Sequence, residues 1–306
     1  MEVSSVCKDI REKKQTDNTR LLERFVPHRR LIRVFPRRTK GTPDDELAVV
    51  NRPPGFFDEA DEVHISVSFD KDIPLAENLM KQWKHVAPVS VGGPAFKDPG
   101  GEFFPGLYLK HGYTITSRGC PNACWFCKAW KTEGRQIREI EIKDGYMLQD
   151  SNLLACSKEH QEKVFAMLQR QPQRPHLLGM EAARLTAWHI EHLSKLKPAV
   201  CWFAYDTPDD LEPLVAAAPL LREADLMTGH SMCCYVLIGW KSDTLESADQ
   251  RLRDVMRLGY FPQSMLYEEG EEQPEAERKT WKKFHREWAN KVIVGSKMRD
   301  QQGAAA

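Results

Sequence analysis

Residues 117–127 read SRGCPNACWFC and set Cys120, Cys124 and Cys127 at C-x3-C-x2-C spacing. Three of the chain's eight cysteines therefore fall within eight residues. Three thiolates on one tight loop can each bind a different iron of a cuboidal cluster, whereas electron-transfer ferredoxins close all four irons with cysteine. Three ligands leave one iron open, and an open site is what chemistry at a metal requires. Gly119 allows close backbone approach and Pro121 stiffens the turn. Two other readings stand beside this one. A structural zinc needs a fourth ligand, and His111 is the nearest candidate, but the chain has no second C-x2-C pair. A chance cluster of buried thiols fits poorly with the proline and polar residue among them.

Working outward, YTITSRGC (113–120) reads as a strand that delivers the cysteines. Downstream, helix-like and strand-like segments alternate: 160–170 before HLLGM (176–180), then TAWHIEHLSKL (186–196) before VCWFAY (200–205). A helix carrying LVAAAPLLREA follows, its limits blurred by Pro213 and Pro219. MCCYVLIGW (232–240) is the next strand. A helix from Thr244 then turns Leu245, Ala248, Leu252, Val255 and Met256 inward and stops at Gly259. This alternation predicts an α/β fold with a parallel sheet and outer helices, open or closed. About six repeats fit between residues 110 and 268, too few for an eight-fold barrel.

Upstream, LIRVF (31–35), EVHISVSF (62–69) and VSVGGPAF (89–96) read as strands. A helix over 73–86 places Leu75, Leu79, Met80 and Trp83 on one face. The expected organisation is a loosely attached segment 1–20, a small α/β unit with its connector over 21–106, a core over 107–270, and a C-terminal helix and tail over 271–306. That last segment is amphipathic, with Trp281, Phe284 and Trp288 at helical spacing.

Charge balances at 44 basic and 44 acidic residues, so nothing indicates a general nucleic-acid surface. The arginines of residues 19–40 (Arg20, Arg24, Arg29, Arg30, Arg33, Arg37, Arg38) read as a solvated or ion-paired face. No stretch approaches the ~20 apolar residues of a membrane span, and the first residues are too polar for a secretory signal. The expected location is cytoplasmic and reducing, where cysteines serve as ligands or buried thiols rather than disulfides.

The CxxxCxxC motif with an aromatic, Phe126, before its last cysteine resembles the signature of the radical S-adenosylmethionine (SAM) superfamily. The resemblance implies a partial (β/α)6 barrel, a [4Fe–4S] cluster on Cys120, Cys124 and Cys127, and SAM bound at the open iron. Reductive cleavage of SAM would then yield a radical that takes hydrogen from a substrate. It further implies an electron donor such as a flavodoxin or ferredoxin, and a substrate that the sequence does not identify.

Other segments resemble superfamily elements more loosely. In YVLIGWKSDTLE (235–246), Leu237 and Ile238 would contact adenine and Gly239 would end the fifth strand, although Trp240 and Lys241 replace the commoner aromatic–proline pair. In QDSNLLA (149–155), Asp150, Ser151 and Asn152 would lie near the SAM amino group, or else cap a loop. GMEAARL (179–185) resembles a third-strand pattern with one extra residue, so either Arg184 or Glu181 would face SAM. Tyr205 and Asp206 would sit at the fourth strand's end, where barrel chemistry resides.

The N-terminal unit faintly resembles the domain that precedes the barrel in cobalamin-linked radical SAM proteins, with VGGPA as a glycine turn. It lacks a DxHxxG motif, and His64 alternates with apolar neighbours as a structural residue would. A cobalamin-dependent radical methyltransferase is the alternative enzyme reading. A zinc or iron–sulfur interaction module without turnover is the alternative outside enzymes. Cys156, Cys201, Cys233 and Cys234 fall in secondary elements as buried thiols rather than auxiliary cluster ligands.

Overall fold

The computed structural model describes residues 30–267 and 274–305. The expectations for the first 20 residues, and for Arg20, Arg24 and Arg29, lie outside the described residues. The chain is a mixed α/β protein with two parallel sheets.

Four short strands build the first sheet: β1 (Leu31–Phe35), β2 (Ala48–Val50), β3 (Glu62–Ser66) and β4 (Val89–Gly92), in the order β2-β1-β3-β4, all parallel. Strand β3 alternates Val63 and Ile65 into the core with half-buried Glu62, His64 and Ser66 on the other face. Helix α1 (Ile73–Trp83) makes the crossover to β4, with Pro74 in its first turn. It buries Ala76, Leu79 and Trp83 against Ile32, Val34, Val63 and Ile65. Met80, read as inward, is 37 % exposed. The buried stripe runs i, i+3, i+7 from Ala76, and Met80 falls just past its edge. β2 carries too few residues to announce itself; pairing with β1 creates it. The segment 89–96 is a strand that runs into a Gly-Gly-Pro turn, as its sequence reads, and β4 ends at Gly92. Gly93 has φ +101°, and a Cβ there would lie 2.7 Å from the Val67 carbonyl oxygen, so only glycine makes this turn.

The thiol segment and second sheet follow. β5 (Tyr113–Thr114), β6 (Ser117–Arg118), α2 (Ala129–Glu133) and β7 (Arg138–Glu139) surround the cysteines. After them come β8 (Met147–Leu148), α3 (Lys158–Gln169), β9 (His176–Leu177), α4 (Ala187–Leu196), β10 (Val200–Tyr205), α5 (Leu211–Glu223), β11 (Met232–Ile238), α6 (Leu245–Arg257) and β12 (Phe261–Leu266). Six of these strands form one parallel sheet, in the order β12-β11-β10-β9-β8-β5. The expected continuous strand 113–120 is two: β5 joins the large sheet, and β6 leaves it to pair antiparallel with β7.

Helix starts follow local chemistry. Ser157 accepts from the His160 N–H at the start of α3, and Thr244 from the Ser247 N–H at the start of α6. Thr186 and His189 form a reciprocal cap on α4. On β10, Cys201, Phe203 and Tyr205 enter the helix-side core, while Trp202 and Ala204 take the opposite face. There Trp202 stacks on Tyr235 of β11 at 4.0 Å between ring centroids. Cys156, Cys201, Cys233 and Cys234 are buried.

At the C-terminus, α7 (Glu275–Ala289) buries Trp281 and Trp288 in the main core and packs Phe284 against it. A further helix that the sequence reading did not contain, α8 (Lys291–Ala305), follows and buries Val294. No helix among the described residues is long and apolar enough to cross a membrane.

Candidate functional site

The thiol loop is tied down at both ends. Before it, Asp150, 2 % exposed, accepts from the Thr116 N–H (2.7 Å), the Thr116 hydroxyl (2.6 Å) and the Ser117 hydroxyl (2.6 Å). Gly119 follows with φ +93°, where a Cβ would lie 2.3 Å from the Gln136 carbonyl oxygen. Its N–H donates to Glu133 Oε2 at 2.8 Å, and the Cys120 N–H donates to the Gly134 carbonyl at 3.1 Å. Inside the loop, the Cys127 N–H and the Trp130 indole both donate to the Cys124 carbonyl (3.1 and 2.7 Å). The loop is thus closed by its own helix, α2.

All three cysteines are free thiols and half-buried. Burial, then the neighbouring thiols, push Cys124 up to about 11. Burial also raises Cys127, against which the Ala129 and Trp130 N–H groups donate to its sulfur. Asn152 Nδ2 lies 3.5 Å from Cys120 Sγ.

Facing the loop are residues that follow the carboxyl ends of the parallel strands. After β8, Asn152 donates to Glu181 Oε2 (2.8 Å), while its own Oδ1 is buried with no partner. After β9, Glu181 also receives Arg184 Nε at 2.6 Å. After β10, Asp206 Oδ1 accepts from the Leu237 N–H at 3.1 Å. Burial, then the nearby Asp210 carboxylate, raises Asp206 to about 7. After β11 and β12, Trp240 and Tyr267 meet Trp125 of the loop edge-on, at 6.4 and 5.3 Å between centroids. The Arg251 guanidinium lies 4.4 Å over the Trp240 ring.

The residues singled out from sequence divide into three groups. Asn152, Glu181, Arg184 and Asp206 lie around the loop, and Phe126 meets Trp125 edge-on at 5.3 Å. Leu237, Ile238 and Gly239 end β11 with their backbone already engaged. Leu237 donates to Asp206 and accepts from Arg251 Nη2, the Ile238 carbonyl accepts from the Tyr267 N–H, and Gly239 donates to Asp243. Asp150, Ser151 and Tyr205 are turned elsewhere. Asp150 is the anchor beneath the loop, and Ser151 donates to Glu133 Oε2 at 2.8 Å. Tyr205 is 6 % exposed in the helix-side core, because β10 alternation sends it there with Cys201 and Phe203.

Sequence reasoning missed Trp125, Glu133, Asp210, Tyr267 and the pair Arg251–Asp243. The pair left a readable signal: Arg251 falls at i+3 from Ala248, on the inward stripe of α6. Its Nη2 bonds Asp243 Oδ2 at 2.8 Å, and Asp243 has a fully buried side chain.

Among the described residues, no group of three or more His, Cys, Asp or Glu is arranged to hold a metal ion. No protein-family model matches the chain, and no curated protein matches it.

Proposed function

We propose that the chain is a radical SAM enzyme in which Cys120, Cys124 and Cys127 ligate a [4Fe–4S] cluster. In this reading the six-stranded sheet is a partial (β/α)6 barrel, and SAM is held between the thiol loop and the strand ends. The supporting observation is that three unpaired thiols of one loop face the carboxyl ends of parallel strands, where such folds carry their chemistry.

The residues fit a cluster better than a single ion. A lone zinc draws four ligands to one point at roughly 2.0–2.3 Å, and the loop itself supplies three thiols. A cuboidal cluster takes each thiolate on a separate iron and is tuned by N–H donors to sulfur. Asn152 Nδ2 and the Ala129 and Trp130 N–H groups are donors of that kind. The Cys124 and Cys127 thiols, raised by burial, stay protonated at neutral pH, and bound iron would replace those protons.

When bound, cluster and SAM together supply reductive cleavage of the sulfonium and hydrogen-atom abstraction from a substrate. The chain's own residues do the holding. Asn152 Oδ1, a buried acceptor without a donor, receives the SAM ammonium. Arg184 and Glu181 supply a guanidinium and a carboxylate for the SAM amino-acid end. Asp206, raised to about 7, offers a protonated carboxyl below that pH and fixes the Leu237 N–H. Trp125 meets Trp240 and Tyr267 edge-on and joins the loop to the ends of β11 and β12. A flavodoxin- or ferredoxin-type donor would deliver the electron at the exposed side of the loop, where Trp125 is 51 % exposed.

The test is anaerobic. The protein is reconstituted with iron and sulfide, reduced, and its EPR recorded with and without SAM. A [4Fe–4S]+ signal that shifts on SAM addition, with formation of 5′-deoxyadenosine, is the expected result. No cluster, or a cluster indifferent to SAM, overturns the reading.

A further inference from the structure

A cleft of about 940 Å³ lies at the carboxyl edge of the four-stranded sheet, walled by the ends of β3 and β4 on one side and by α2 on the other. In the order β2-β1-β3-β4 the chain runs outward from β1 to β2 and then crosses back to β3. The cleft opens at the carboxyl ends of β3 and β4, and ligands of parallel sheets bind outside such strand ends.

The charges in this cleft are unevenly satisfied. Its acids are all engaged internally. Asp98 accepts from the Gly93 and Gly100 N–H groups, and Glu102 from the Glu141 N–H. Asp70 pairs with Lys128 at 2.7 Å, and Glu133 accepts from Arg118 Nη1, Gly119 N–H and the Ser151 hydroxyl. Two cations are met less fully, and Arg118 pairs only through Nη1 with Glu133. Arg118 Nε is buried with no hydrogen-bond partner. Lys71 lies 5.6 Å over the Phe69 ring and makes no ion pair among the described residues. Arg118 lines the cleft, so an anion there would add a partner to its guanidinium.

Beside these cations stand two exposed rings, Phe69 (45 %) and Tyr108 (39 %), both lining the cleft. Tyr108 is held in place: its hydroxyl lies 2.5 Å from His64 Nδ1, the two rings stack, and His64 Nε2 bonds Glu62 at 2.8 Å. His64 thus positions an aromatic surface.

We propose that this cleft binds a small phosphorylated aromatic molecule of the nucleoside monophosphate class, with its phosphate on Arg118 and Lys71 and its ring against Tyr108 and Phe69. Two cations match a doubly charged phosphate, and the two exposed rings offer apolar surface to a planar base. The cleft shares α2 and Glu133 with the thiol loop but is lined by none of its cysteines, and the proposal does not rest on the radical SAM reading, so either can fail alone.

The experiment is calorimetric titration of the full chain as purified, without added iron, with adenosine 5′-monophosphate, adenosine, inorganic phosphate, benzoate and hydroxocobalamin. Saturable, equimolar binding of adenosine 5′-monophosphate is expected, with adenosine weaker by about tenfold or more. Gly101→Glu tests the cleft without disturbing packing, since a Cβ at Gly101 meets nothing within 4 Å. That variant and Lys71→Gln should each weaken binding about ten- to hundredfold at unchanged melting temperature. No saturable binding up to about 5 mM, binding that both variants leave unchanged, or tighter binding of benzoate or hydroxocobalamin overturns the proposal.

Discussion

The four-stranded and six-stranded sheets are both wholly parallel, and each gathers polar residues where its strands end. In the smaller sheet the edge stays open. Gly92 and Gly93 keep the β4 end free of side chains, and the cleft lies directly above. In the larger sheet the edge is covered by the thiol loop, which reaches down to Asp150 and across to Asn152. Glu133 belongs to both: one oxygen accepts from Arg118 of the cleft, the other from Gly119 and Ser151 of the loop. The contrast shows that one sheet geometry can offer either a cavity or a platform. What decides is whether the connection after a strand is a bare glycine turn or a loop with anchors of its own.

The largest expected effect comes from removing a thiol of the covered edge. Cys124→Ala should abolish 5′-deoxyadenosine formation, a loss of at least about 1,000-fold, while circular dichroism shows the fold intact. Retained SAM cleavage would break the contrast, since the loop would then be only a cover.

Next is the anchor. Asp150→Ala strands the Thr116 and Ser117 donors and should cost about 3 kcal/mol of unfolding free energy in urea titration. The corresponding acid of the open edge is Asp72, which pairs with half-exposed Arg37. Asp72→Ala should cost about 1 kcal/mol, because water can reach the guanidinium left behind. Equal losses would mean that the two edges are anchored alike.

Asn152→Ala sharpens the comparison at the rim itself. It removes the unmet Oδ1 acceptor together with the Nδ2 donor to Glu181 and Cys120 Sγ, so KM for SAM should rise about tenfold. A fall in kcat with KM unchanged would place Asn152 in structure rather than in binding.

The smallest effect is on pH dependence. Burial holds the Asp206 proton in the folded chain to about 7, whereas the unfolded chain releases it near 3.8. Between those values the native state binds more protons, so stability falls as pH rises through the window. Urea midpoints measured at about pH 5 and pH 8 should differ in the wild type. Asp206→Asn keeps an acceptor for the Leu237 N–H and should reduce that difference. An unchanged slope would locate the titrating group elsewhere.

Much of the architecture was legible in the chain itself. Apolar runs marked β1, β10 and β11, and helical spacing from Thr186 and from Thr244 marked α4 and α6. These signals are local, because strand and helix periods repeat within a few residues. The three-residue β2 carried too little pattern, and the six-residue β12 was hidden by its proline. β12 begins one residue before Pro262, which alone argues against a strand, yet it stands at the sheet edge where proline is tolerated.

By itself, the sequence determined the C-x3-C-x2-C thiol spacing and the αβ alternation around it, since both depend only on neighbours along the chain. Tertiary structure alone decided which polar residues share an edge. Asp150 went beneath the loop and Asn152 beside its sulfur, although only Ser151 separates them. Tyr205 entered the core while the adjacent Asp206 reached the Leu237 backbone. At a strand end one residue changes the face, and the face is set by register and by the loop that packs there, neither of which a local pattern encodes.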